Sequence, residues 1–373
     1  MSGGRTEAPT SVAIATRESA RLAAAEAIEA VAMTLLINAY STLAAPPAPE
    51  FARAPANRRD RSDPELVPHL QGFVGYVLGT VEQGMDARTF AVIRHLQRVQ
   101  THYSFEVEDD AFDALTAWGQ AANAICFLPD GSVRDAAGNV LVSRGEPPVE
   151  TDATLPYPAD ARARKARSEQ ALHALGAPPP AHLPPVLGEG EVRLRGDDEA
   201  ARRMLALCAV AVRAESLHTQ PLSAQEIAAK LGPGVAALTP VERAFIDQAS
   251  PDQETWADQG WRYESAALLQ WALGLRDTLP EPTETCDAAD VARVAIDHAD
   301  EARIAQARLR PVAELLDALD AIYRRHWLVR QARLDEAEPP IGLHPSVVYE
   351  RHYALNWLLR FDEQDWDEVG TPT

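Results

Sequence analysis

The stretch PSVVYERHYALNWLLRF, residues 345–361, is too apolar for a surface helix and too charged for an ordinary core segment. Wound at about 100° per residue with Tyr349 at zero, it spreads Val347, Val348, Ala354, Leu355, Trp357, Leu358, Leu359 and Phe361 over an arc from about 80° to 280°. That arc predicts a helix buried on most sides. Glu350 at about 100° and Arg351 at about 200° fall inside it, and His352 at about 300° borders it.

Residues 261–275 repeat the pattern. Arg262 falls between Leu269 and Leu273, and Glu264 falls among Leu268, Trp271 and Leu275. Adjacent residues on one helix do not face each other, so each charge needs a partner elsewhere. A buried unpaired charge costs several kcal/mol, which makes pairing between the two helices the economical solution: Arg262 with Glu350 and Glu264 with Arg351, roofed by Trp261, Trp271 and Trp357. Two readings follow. The four charges form a structural lock between core helices, or they border a polar pocket completed by His352, Asn356, Tyr349 and Tyr353 and able to hold a small polar ligand.

Outward from these helices, composition is strongly helical from Asp197 to the end. Helices are predicted over 197–216, 223–231, 240–249, 255–274, 288–308, 311–335 and 345–361, with Ser223 and Glu226 as a capping box and Thr239 as an N-cap before a first-turn proline. Residues 146–196, dense in proline, read as a linker with one short helix. Upstream, 16–145 reads as an α+β domain. A helix is predicted over 16–30 and strands over 33–40, 102–107 and 125–128. Helices are predicted from Leu66 to Leu78, across Phe90 to Val99 and from Asp109 to Trp118, and a hairpin is punctuated by Pro129-Asp130-Gly131 and Ala137-Gly138-Asn139. The stretch from Pro55 to Pro64 reads as a surface loop and 1–15 as a disordered tail. The fold class expected is therefore α+β: an N-terminal mixed α/β sandwich with a mainly antiparallel sheet, a Pro-rich linker and an all-α C-terminal domain.

Length and charge narrow the function. At 373 residues the chain suits two cores rather than one, and no apolar run approaches a membrane span. Fifty-five acidic against 35 basic side chains give a formal charge of −20, which argues against nucleic acid and anionic membranes as partners. The basic clusters Arg58, Arg59, Arg61 and Arg162, Arg164, Lys165, Arg167 lack interleaved aromatics and read as solvated surface. Cys126, Cys208 and Cys286 have no CxxC spacing and read as inert buried thiols, without disulfide or zinc. With no secretory leader legible in MSGGRTEAPT, a cytoplasmic location is expected.

There is no GxGxxG after a strand, no GxxxxGK[ST], HExxH, GxSxG or EF-hand loop, so neither catalytic residue, metal ligand nor cofactor is assigned. His298, between Asp297 and Asp300, reads as a surface histidine. The segment from Asp362 to Glu368 carries five acids around Trp366; it reads either as a solvated end anchored by the indole or as a partner contact through Asp365, Trp366 and Asp367.

Trp261-Arg-Tyr-Glu264, Leu268-Leu-Gln-Trp-Ala-Leu-Gly274, Val348-Tyr-Glu-Arg-His-Tyr-Ala-Leu-Asn-Trp357 and Trp366-Asp-Glu-Val369 together resemble the domain of unknown function 4272 family of bacterial proteins. The resemblance covers roughly Arg202 to Thr373. The segment Ala124-Ile-Cys-Phe-Leu-Pro-Asp-Gly131 is similar to the extension of longer members, and the ending Gly370-Thr-Pro-Thr373 departs from the family's Thr-Asp-Thr. The resemblance implies bacterial origin and a helical C-terminal domain, and implies no activity. The functional expectation is a non-catalytic binding or regulatory protein, acting through protein contacts or a small polar ligand. The alternatives are an enzyme using Glu350 or Glu264 as general acid or base beside His352, and an immunity-type protein that neutralises a basic partner.

Overall fold

Thr34–Ser41, which carries Ile37 and Tyr40, and Thr101–Glu108, in which apolar and polar residues alternate, make the paired strands β1 and β3 of a six-stranded antiparallel sheet with order β2-β3-β1-β4-β5-β6. The computed structural model describes residues 34–81 and 85–373; the tail expected over 1–15 and the helix expected over 16–30 lie outside them. The other strands are β2 (Asn57–Asp60), β4 (Ala124–Phe127), β5 (Val133–Arg134) and β6 (Val140–Val142). On one face, Tyr40, Ile125, Val133 and Leu141 pack with helices α1 (Leu66–Leu78) and α2 (Ala87–Arg98). On the other, Ile37, Tyr103, Phe105 and Cys126 pack with Trp118 of α3 (Phe112–Ala121).

The Pro55–Pro64 stretch is not all loop. Asn57–Asp60 pairs with Thr101–Ser104 as an edge strand. With arginines on both faces it shows no apolar alternation, and charge on an edge strand is a device against unwanted pairing, so the pattern used for inner strands passes over it.

The chain divides into two units at the Pro156–Tyr157 bond. The second is helical: α4 (Ala159–Ala174), α5 (Asp197–Ser216), α6 (Ala224–Ala236), α7 (Pro240–Asp247), α8 (Gln253–Gly260), α9 (Arg262–Ala272), α10 (Ala288–Asp297), α11 (Glu301–Gln306), α12 (Val312–Leu334) and α13 (Pro345–Leu358). Within the proline-rich stretch, Leu172 of α4 and Ala177 join this unit's core, and Arg164 Nε donates to Asp317 Oδ1 of α12 at 2.9 Å. The fold class is α+β, with an antiparallel sheet and helices followed by a mostly helical region.

Helix α5 is buried on nearly every side from Ala200 to Ala214, and α6, α8 and α9 pack against it. A glycine of α6 allows close approach. A Cβ on Gly234 of α6 would stand 2.5 Å from the Leu205 carbonyl carbon. Two predicted helices are each a pair. The 255–274 span breaks at Trp261 between α8 and α9, and 288–308 breaks after Asp297, where Asp300 accepts a bond from the Arg303 N–H and caps α11. The last helix ends at Leu358, so Phe361 sits in a separate 3-10 turn.

Candidate functional site

Helices α9 and α13 pack side by side. Across their seam Arg262 Nη1 donates to Glu350 Oε1 at 2.6 Å, and Ser265 Oγ, one turn on from Arg262, donates to Glu350 Oε2 at 2.6 Å. In the second pair, Arg351 Nη2 lies 3.6 Å from Glu264 Oε2, Arg351 Nη1 donates to the Pro280 carbonyl, and the Cys286 N–H donates to Glu264 Oε1. The structure thus brings together Arg262 with Glu350 and Glu264 with Arg351. Glu350 and Glu264 are only 4% and 2% exposed. Burial pulls down the charged form of Arg262, yet the Glu350 carboxylate more than offsets this and raises it; burial of Arg351 prevails over Glu264 and lowers it. The longer contact goes with the arginine that gains less.

The rings over this seam differ from those expected. Trp271 lies under Arg310 and Trp357 under Arg195, while Trp261 meets His344. Tyr353 and Trp366 lie over Arg262, at 5.6 and 5.9 Å from the guanidinium carbon to the ring centroids. Arg203 of α5 also lies over the Trp366 ring, at 5.1 Å, and pairs with the buried Glu242 of α7. Glu242 in turn accepts from the Thr239 N–H and closes the α7 capping box. Two buried arginine–glutamate pairs therefore grip one indole.

Trp366 is 3% exposed, an anchor rather than a ring available to insert elsewhere. The polar groups expected to line a pocket hold its segment: the Tyr353 hydroxyl donates to the Trp366 carbonyl and Asn356 Nδ2 donates to the Gly370 carbonyl at 2.8 Å. Arg195 Nη2 adds a bond to the Gln364 carbonyl. His352 is turned to His326 of α12, Nδ1 to Nδ1 at 2.8 Å. Burial holds His326 down at about 4 and His352 well below its ordinary value, so both rings are neutral and one Nδ1–H donates to the other. Tyr349, 42% exposed, is the member of the expected set that faces solvent. Asp365 is exposed at 89% with Arg195 3.7 Å away, and the exposed Asp367 accepts from the Thr239 hydroxyl.

Arg203, Glu242, Ser265 and His326 were not singled out from sequence. Arg203 carries the same signal as Arg262, a base inside an apolar arc; His326 follows Arg324 and Arg325 within the α12 stripe. Cys126 and Cys208 are buried and their thiols pushed up to about 12, whereas Cys286 is only half-buried, against the expectation of three buried thiols. Among the described residues no group of three metal-ligating side chains is assembled. A shallow cavity of about 260 Å³ lined by Met204, Leu273, His298 and Ile304 lies apart from all the expected site residues.

Residues 164–369, just over half of the chain, match the family model described as "Domain of unknown function (DUF4272)". The chain belongs to this family. The DUF4272 segment opens inside α4 and closes at Val369, so it takes in both ion pairs, the histidine pair and the Trp366 anchor. No curated protein and no solved structure matches the chain.

Proposed function

We propose that the helical unit is a non-catalytic binding or regulatory module that acts through protein contacts, its buried charges serving as locks. The observation that carries this reading is the commitment of the α13 polar face to its own chain: Tyr353 and Asn356 hold the backbone of residues 366–370, and Glu350 is satisfied by Arg262 and Ser265. What remains outward over this anchor is mainly acidic, with Arg193 and Arg360 paired to Glu363 at its side. Asp362, Glu363, Asp365, Asp367 and Glu368 are exposed around the buried indole. Such a rim complements a basic protein surface and also fits an immunity-type role against a basic partner. The enzymatic alternative needs a carboxyl within reach of substrate, and Glu264 and Glu350 are closed off.

The test is capture from the native cell by the full chain and by an Asp365→Lys, Glu368→Lys variant. Charge reversal keeps Trp366 and Val369 in the core, from which deletion of residues 362–373 would strip them. A basic partner retained by the natural chain and lost by the variant, with thermal stability unchanged, supports the reading. A binding activity abolished by Glu350→Gln in a chain that stays as stable as the original overturns it.

A further inference from the structure

All three histidines within the described part of the first unit, His69, His95 and His102, gather on one tyrosine. Tyr40 Oη lies 3.0 Å from His69 Nε2, the Tyr40 carbonyl 3.0 Å from His95 Nε2, and the His102 ring 4.9 Å from the Tyr40 ring. The sheet explains the convergence. Arg59, His102 and Tyr40 stand in register across β2, β3 and β1, and alternation puts Asn57, Ser104 and Asn38 beside them on the same face. His102 Nε2 is 3.2 Å from Asn38 Oδ1, while its buried Nδ1 has no hydrogen-bond partner.

Along this face burial is graded. Tyr40 and His102 are buried, Asn38, His69 and Ser104 half-buried, and Leu36 and Glu106 exposed. Arg59, about one-third exposed, has carboxylates only at a distance, Asp63 at 3.8 Å and Glu65 at 4.0 Å. The result is a polar ledge, more buried toward Tyr40, that carries a guanidinium, a hydroxyl, amides and imidazoles. Burial first, and then the Arg59 charge, lower His69; burial, then His69 and Arg59, hold His102 at about 4. At neutral pH both rings are therefore neutral, and Arg59 is the cation of the ledge.

We propose that Asn38, Arg59, His69, His102 and Ser104 form a binding site for a small oxyanion, a carboxylate or a phosphate. Arg59 offers a forked donor matched to such a group, and Ser104 and Asn38 add hydrogen bonds from the sheet. Glu106, the next residue outward on that face, is exposed and acidic, which restricts the ligand to a small one.

The experiment follows the histidine side-chain signals of the full chain by NMR at neutral pH while inorganic phosphate, and separately succinate, is added. A saturable shift of the His69 and His102 signals is expected with at least one of them, His326 and His352 staying still, and the effective anion names the source. Arg59→Gln should weaken binding at least about tenfold, and Ser104→Ala should weaken it too. Arg58→Gln removes the same charge from the opposite face of the same strand, where Arg58 is paired with Asp60, and should leave affinity unchanged. Absence of a saturable shift with both anions overturns the proposal, and so does equal weakening by the two arginine variants, which would mean diffuse attraction. Ser104→Ala keeps the test open should Arg59→Gln disturb the edge strand.

Discussion

Glu350 accepts from Arg262 and from Ser265 in a nearly solvent-free position, so each partner depends on the other. Removing one leaves a buried charge without compensation, which costs about 3–5 kcal/mol, whereas replacing both by apolar groups of similar shape costs far less. Glu350→Gln alone and Arg262→Met alone should therefore lower unfolding free energy by about 3 kcal/mol each in urea titrations, and the double variant should recover a large part of the loss. Additive losses would mean that the pair does not act as a unit. The exposed Arg293–Asp297 pair on α10 is the contrast, where Asp297→Asn should change stability by less than about 1 kcal/mol.

The ends of three helices show how an element depends on one backbone torsion. In α4, α9 and α12 the second residue past the last helical one takes a left-handed conformation, and the next N–H reaches back to close the turn: Ala177 to Leu172, Leu275 to Gln270, Ala337 to Ala332. Gly176 and Gly274 occupy the first two such positions, but Glu336, at φ 53°, occupies the third. A Cβ is strained there, so Glu336→Gly should raise stability by about 0.5–1 kcal/mol while Gly274→Ala lowers it by about 1 kcal/mol, both read as shifts in thermal midpoint. No rise for Glu336→Gly would mean that its side chain compensates for the strain. The closing segment behaves as an element too: Trp366→Ala removes an indole seated on Tyr353, Trp357 and two guanidiniums, and should cost about 3–5 kcal/mol in denaturant unfolding.

Across the whole molecule histidines wholly or partly withdrawn from solvent set the response to acid. His69, His95, His102, His326 and His352 are all held below the unfolded value of about 6.5, chiefly by burial. As pH falls the unfolded chain therefore takes up these protons first. The histidine contribution is full above about pH 6.5 and is lost progressively as pH drops through 6.5 toward about 4, the folded-state value of His102 and His326. Unfolding free energies from urea titrations should fall between pH 7.5 and pH 5, before the ordinary carboxylates titrate, by on the order of 1–2 kcal/mol for each of His102 and His326. A flat profile over that interval would mean that these rings protonate without unfolding.

Residue type and apolar runs placed β1 and β4, and periodicity placed β3 and most helices, because composition and apolar spacing are local properties of the chain, and the charges inside the apolar arcs of 261–275 and 345–361 announced that two helices had to meet. A one-residue interruption such as Trp261 leaves a wheel almost undisturbed, so the break between α8 and α9 was invisible to it. An edge strand made of arginines has no pattern to read. The convergence of His69, His95 and His102 on Tyr40, and of Arg203 and Arg262 on Trp366, joins residues separated by dozens of positions. Sequence by itself determined which residues had to be buried and that the buried charges needed partners. Only the tertiary structure decided which side chains satisfied them, because a hydrogen bond is set by distance and angle in space and leaves no mark on spacing along the chain.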